Sequence, residues 1–142
     1  MSTLGKSTFD VPVEWTEIRR EKERLTFAAP DGKLQTTVSL MCFGIEPSWE
    51  NFKRLCSLRY EAEKQGPNVV FLQPEYSAPF EEEGKFGMFF SGEEKKVGRL
   101  FSGFLTLQGK ELITIYVEGL HVDSENLFKS FHGFVSNLKQ ER

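Results

Sequence analysis

Residues 85–118 constrain the fold more than any other stretch. They hold three short runs, KFGMFFSG, KVGRLFSGFLTLQ and KELITIYVE, rich in Phe, Leu, Ile and Val and broken at SGEEK and QGK. Runs punctuated in this way predict three consecutive antiparallel strands joined by turns. Successive side chains of a strand point to opposite faces, so Ile113, Ile115 and Val117 share one face while Leu112 and Tyr116 share the other. In the preceding strand Phe101, Leu105 and Leu107 oppose Leu100 and Phe104. A sheet with one wet face would alternate apolar and polar residues. This one is apolar on both faces and must be covered on both, or offer one to a partner.

The rest of the chain supplies candidates for that cover. Residues 8–13 (TFDVPV) alternate weakly up to Pro12 and suit an edge strand, with Trp15 plugging one end of the core. Residues 25–29 (LTFAA) predict a second strand, closed by the turn Pro30-Asp31-Gly32-Lys33. Residues 34–43 predict a longer third strand, with Val38, Leu40 and Cys42 on one face and Met41 and Phe43 on the other. Ser48 is placed to cap a helix running to about residue 65, marked by Trp49, Phe52, Leu55, Cys56 and Tyr60 and stopped by Gly66-Pro67. Residues 68–71 begin a further strand, interrupted at Pro74 and Pro79. Asp123 or Ser124 caps a last helix whose Leu127, Phe128, Phe131, Phe134, Val135 and Leu138 form one apolar stripe, with Phe128, Phe131 and Val135 expected in the core.

Strands joined by hairpins, rather than alternating with helices, predict an α+β fold. The expected architecture is a mainly antiparallel sheet of about six or seven strands with a helix on each face, an α/β/α sandwich. One domain over residues 1–142 accommodates it, and the 39% apolar content with fourteen Phe is enough for a core. The net charge of -3 argues against a protein that tracks nucleic-acid phosphates. No apolar run reaches the roughly 18 residues of a membrane span. The start MSTLGKSTFDV lacks the charged and apolar regions of a signal peptide, so with that as the natural start the protein is expected in the cytoplasm.

The residues that could carry chemistry are few. Cys42 and Cys56 form no CxxC pair, and with His121 and His132 they make no ligand set, so no metal and no cofactor is expected. Both cysteines are expected to be small buried hydrophobes, and sequence leaves open whether they are bridged. His121 is flanked by Glu118 and Asp123, a loose acid–base group without a nucleophile, and helix capping accounts for Asp123. Gly84-Lys85-Phe86-Gly87 lacks the Lys-Ser/Thr of a phosphate-binding loop. No catalytic residue is assigned, and the protein is not expected to be an enzyme. The candidate partner-binding residues are charged. Glu81, Glu82 and Glu83 form an acidic turn before the first strand of the 85–118 unit, near the Gln108-Gly109-Lys110 turn. Glu93 and Glu94 follow that strand and lie at its opposite end. Arg99 is a charge within an apolar strand, which would pair with a carboxylate or contact a ligand. A deep cavity lined by Arg99, Tyr116 and His121 would mark a small-molecule site.

Three segments together resemble the PsbP-like, Mog-type α/β/α sandwich family over most of the chain. They are the opening TFDVPVEW with its Pro-x-x-Trp corner, the helix SWENFKRLCSLRYEAEK, and the close GRLFSGFLTLQGKELITIYVEG followed by DSENLFKSFHGFVSNL. Members include photosystem accessory proteins, a nuclear-transport factor, bacterial lipoproteins and chaperones of type VI secretion effectors. The resemblance implies a binding protein rather than an enzyme. The expectation is a cytoplasmic protein-binding module, first of all an immunity protein that neutralises a secreted bacterial toxin. The alternatives are an effector-specific chaperone or adaptor of a type VI secretion system, or a small-molecule-binding accessory protein. A chaperone for apolar segments needs an open hydrophobic groove, whereas an immunity protein needs a charged rim around a few anchors. Helices covering both faces would leave no groove and favour immunity.

Overall fold

The computed structural model describes residues 2–64, 69–71 and 78–140. In chain order its elements are β1 (Ser2–Leu4), β2 (Ser7–Phe9), β3 (Thr16–Glu21), β4 (Arg24–Ala28), β5 (Leu34–Cys42), α1 (Trp49–Lys64), β6 (Val69–Phe71), β7 (Phe80–Glu82), β8 (Lys85–Glu94), β9 (Arg99–Gln108), β10 (Glu111–Leu120), α2 (Ser124–Val135) and β11 (Lys139–Gln140). The fold is α+β, with two helices and a large antiparallel sheet. That sheet has eight strands, in the order β3-β4-β5-β10-β9-β8-β6 with β7 also pairing β8. It exceeds the expected six or seven through β7, a segment expected as a turn, and through β3. Its sequence TEIRRE is exposed throughout, so neither face carries an apolar signal. A separate three-stranded sheet, β1-β2-β11, is too short for its pattern to register in sequence.

The alternation read in β10 divides the core in two. Ile113, Ile115 and Val117 belong to a cluster with Leu25, Phe27 and Val38 of the sheet and Leu127 and Phe134 of α2. Leu112 and Tyr116 belong to a cluster with Met88, Phe90, Phe101, Leu105 and Leu107, into which α1 inserts Phe52 and Cys56. A helix covering each face is too simple a description. On the α2 side the small sheet shares the cover, sinking Leu4 and Phe9 into the same cluster, and Trp15 meets Phe134 edge-on at 5.1 Å. On the α1 side the helix lies over the β8–β10 half and leaves the β4–β5 half open.

Local chemistry sets the ends of the elements. Ser48 Oγ accepts the Asn51 N–H at 3.2 Å at the start of α1, and Asp123 Oδ1 accepts the Glu125 N–H at 3.1 Å at the start of α2. The Pro30–Lys33 turn closes with Gly32 at φ 72°, a left-handed conformation that suits glycine. Helix α2 ends at Val135, short of Leu138, which still packs on the core. Of the helix's apolar stripe Leu127 and Phe134 are fully buried, while Phe128, Phe131 and Val135, expected in the core, are only partly so. The Gly66-Pro67 stop and the Pro74 interruption lie outside the described residues.

Candidate functional site

The open half of the α1 side is a cleft of about 600 Å³. Its back wall is Leu105 and Leu112, and its floor carries Ser39 and Thr114. α1 supplies Leu55, Leu58 and Arg59 on one side, and Met41 of β5 lies opposite on the sheet. Glu21, Glu23 and Arg24, around the β3–β4 turn, form the outer rim. Leu58 is 63% exposed and Met41 52%, although apolar side chains on both elements' core-facing positions are buried. Two exposed aliphatic side chains on one cleft, backed by buried leucines and rimmed by charge, have the anatomy of a contact surface: an apolar centre within a polar margin.

Behind the cleft a polar network ties α1 to the sheet. Arg59 Nη2 lies 3.1 Å from Glu63 Oε1, and its guanidinium rests over the rings of Phe90 and Tyr116 at 5.5 and 5.4 Å. The Tyr116 hydroxyl accepts from Arg99 Nη1 at 2.6 Å and donates to Glu63 Oε2 at 3.4 Å. Arg99 reaches Glu94 and Glu118, each at 3.6 Å, and lies 4.7 Å over the Phe101 ring. Burial, followed by the nearby Glu63 carboxylate, raises the Tyr116 pKa well above the ordinary phenol range, against the opposing pull of Arg99. The phenol is therefore a neutral hydrogen-bonding hub. Arg59 Nε is buried without a hydrogen-bond partner, a cost that its ring contacts and ion pair offset.

Of the residues singled out in sequence, Glu94 and Arg99 meet, and the Glu81, Glu82 and Glu83 group lies apart from them at the other end of β8. Glu81 and Glu82 are strand residues of β7, not a turn, and with Glu83 they are exposed at the start of β8. Gly84 shares a depression with Gln108, Gly109 and Lys110, as their positions along the strands imply. Glu93 and Glu94 close β8 at its other end, again within the strand, and the turn falls after them. Arg99 takes the carboxylate-paired option, as the first residue of β9. It lines a shallow hollow with Gln35, Glu118 and Leu120, in which neither Tyr116 nor His121 takes part. The His121 ring lies against Gly98 instead. No acid–base group forms around it, since Glu118 pairs with Arg99 and Asp123 caps α2.

Both cysteines are free; Cys56 is buried, but Cys42, expected to be buried, is exposed at the end of β5. It is the last residue of the strand, beyond the reach of β4, which pairs β5 only as far as Ser39. Among the described residues no three His, Cys, Asp or Glu side chains stand where they could hold a metal ion. No helix among them is long and apolar enough to cross a membrane. Sequence reasoning missed Leu58, Arg59 and Glu63. The available signal was Leu58 itself, an aliphatic residue standing off the Phe52–Cys56 stripe of α1.

These layers define the PsbP-like fold. A solution structure of cyanobacterial PsbP (CyanoP) from Synechocystis sp. PCC 6803 matches with a TM-score of 0.69 and 11% identity, over 96% of this chain and 87% of that one. LpqN of Mycobacterium tuberculosis, involved in cell envelope biogenesis, matches with a TM-score of 0.65 and 10% identity, over 96% and 83%. A protein from Bacteroides thetaiotaomicron VPI-5482 matches with a TM-score of 0.54 and 12% identity; this chain is covered to 99% and spans 50% of that longer one. No family model and no curated protein matches the sequence. At these identities the likeness is one of fold, and fold does not carry function.

Proposed function

We propose that the protein is a non-enzymatic protein-binding module that holds its partner at the α1 cleft. The observation that carries this is the pair Met41 and Leu58, each more than half exposed, on a cleft backed by Leu105 and Leu112. Exposed aliphatic residues gathered in one concave site mark an interaction surface, whereas scattered ones do not. Of the partner types that sequence suggested, an open apolar cleft supports a chaperone or adaptor that shields an apolar segment of another protein. Affinity capture from the native host tests the proposal, comparing wild type with Met41→Glu/Leu58→Glu. A partner lost by the double variant, with the thermal melt unchanged, is the expected outcome. A partner retained in full would remove the cleft from the interface.

A second role, that of an immunity protein against a secreted toxin, draws support from Glu81, Glu82 and Glu83, three exposed carboxylates at one end of the sheet. Charges at the rim of such an interface steer encounter.

A further inference from the structure

The α2 side of the sheet holds a second cavity, built by the register of β7, β8 and β9. Side chains alternate along β8, so residues 85, 87 and 89 share this side, where Phe89 meets Phe131 of α2. Pairing sets them in three rows. Phe89 faces Phe104, Gly87 lies between Phe80 and Thr106, and Lys85 faces Glu82. The rings of Phe80, Phe89 and Phe104 stack across the three strands, with centroids 5.8 and 4.3 Å apart. A Cβ at Gly87 would stand 2.6 Å from Phe80 and 3.2 Å from Phe104, so the bare backbone lets both rings settle close to the sheet. Val135 and Leu138 form a roof, and Gln140 of β11 accepts the Thr106 hydroxyl at 3.4 Å. The roof does not close. About 340 Å³ stays open beneath it, at the lower end of the range for small-molecule sites. The three rings are only partly buried, whereas Phe90 and Phe101 on the other face are fully so.

The mouth of this cavity is charged. Glu82, Glu83 and Lys85 line it, all exposed, and none has an ion pair among the described residues. Glu82 follows Phe80 by two residues on the same face, about 7 Å along the strand. An apolar body seated against the rings therefore brings a head group on a short arm to the carboxylates. Two carboxylates against one ammonium leave the mouth net negative, and the head it favours is a cation. An anionic head would meet Lys85 with both glutamates opposing it, and a neutral one would gain from neither. Burial against the rings supplies affinity, and the mouth supplies the choice of charge.

We infer that this cavity binds a small organic cation, with an aryl or alkyl body against Phe80, Phe89 and Phe104 and an ammonium head at Glu82 and Glu83. The site is separate from the α1 cleft and does not depend on the protein-binding role. The test is calorimetric titration of the full chain with three probes of similar shape: phenethylamine, neutral phenethyl alcohol and anionic phenylacetate. Methyl NMR then locates whatever binds. Phenethylamine is expected to bind about fivefold more tightly than the alcohol, the upper range for an exposed charge pair, with phenylacetate weakest. Raising the salt concentration should narrow the difference. The shifted methyls should be those of Thr106, Val135 and Leu138. Glu82→Gln/Glu83→Gln should bring the amine down to the alcohol, and Lys85→Gln should tighten it; all three positions are exposed, so the variants keep their melts. Equal affinity for amine and alcohol, or tighter binding of phenylacetate, would overturn the cation. A preference that survives the double variant, shifts confined to the α1 cleft, or no saturable binding of any probe would overturn the site.

Discussion

At the scale of single residues, the sheet is fitted to its aromatic rings by glycines. A side chain at Gly103 would place its Cβ against the Phe90 ring, and one at Gly92 would meet the Phe101 ring, each far inside contact distance. Each is the cross-strand partner of the ring it accommodates, so the aromatic folds over the bare backbone opposite. Gly103→Ala should therefore cost about 1–3 kcal/mol through overpacking. Urea denaturation would measure it, and Phe90→Leu in the same chain should recover part of the loss. Ionisation acts at this scale too. Burial pushes the Cys56 thiol from 9.0 up to about 12, and Tyr116 shifts the same way. The folded state thus holds the protons that the unfolded chain releases first. Stability should be whole below about pH 9 and fall as pH rises from there toward about 12. Denaturation midpoints across that window check the sign, and Cys56→Ala should flatten part of the slope. A thiol reagent at neutral pH should label Cys42 at once and Cys56 only on unfolding.

At the scale of elements, the two helices are held differently. α2 is anchored by apolar contact, and its weight rests on Phe134, which touches Trp15 and Phe27 and is fully buried. Phe134→Ala should cost about 3–5 kcal/mol. Phe131, partly buried and edge-on to Phe89, should cost less, about 1–2 kcal/mol. Chemical denaturation of the two variants gives the order, and a larger loss at Phe131 would contradict it. α1 combines Phe52 and Cys56 with the Arg59–Glu63–Tyr116–Arg99 network near its C-terminal end. Tyr116→Phe leaves the packing and removes the hub, for an expected loss of about 1–2 kcal/mol. The edge strand β3 shows a different device. Its charges and the register shift between Glu17 and Arg19 discourage further strands from pairing with it.

At the scale of the whole molecule, the acidic groups stay apart. Glu81, Glu82 and Glu83 lie at the start of β8 and Glu93 and Glu94 at its end, so one charged end can be altered alone. If the 81–83 carboxylates guide a partner, replacing all three with Lys should slow association and flatten its salt dependence while the fold survives. Stopped-flow kinetics at two salt concentrations measure this, and an unchanged rate at low salt would exclude these residues from encounter. The sequence by itself determined the antiparallel order of β8, β9 and β10, which face each residue of β10 takes, the cap at Ser48 and, to within one residue, the cap at Asp123. Those features are written in spacing and in local hydrogen bonding. Only the tertiary structure decided that α1 leaves half of its face open, that Glu63 of α1 joins Tyr116 and Arg99 in one network, and that Met41 and Leu58 meet on one cleft. Each depends on where distant segments come to rest on the sheet, and periodicity along a chain carries no term for that.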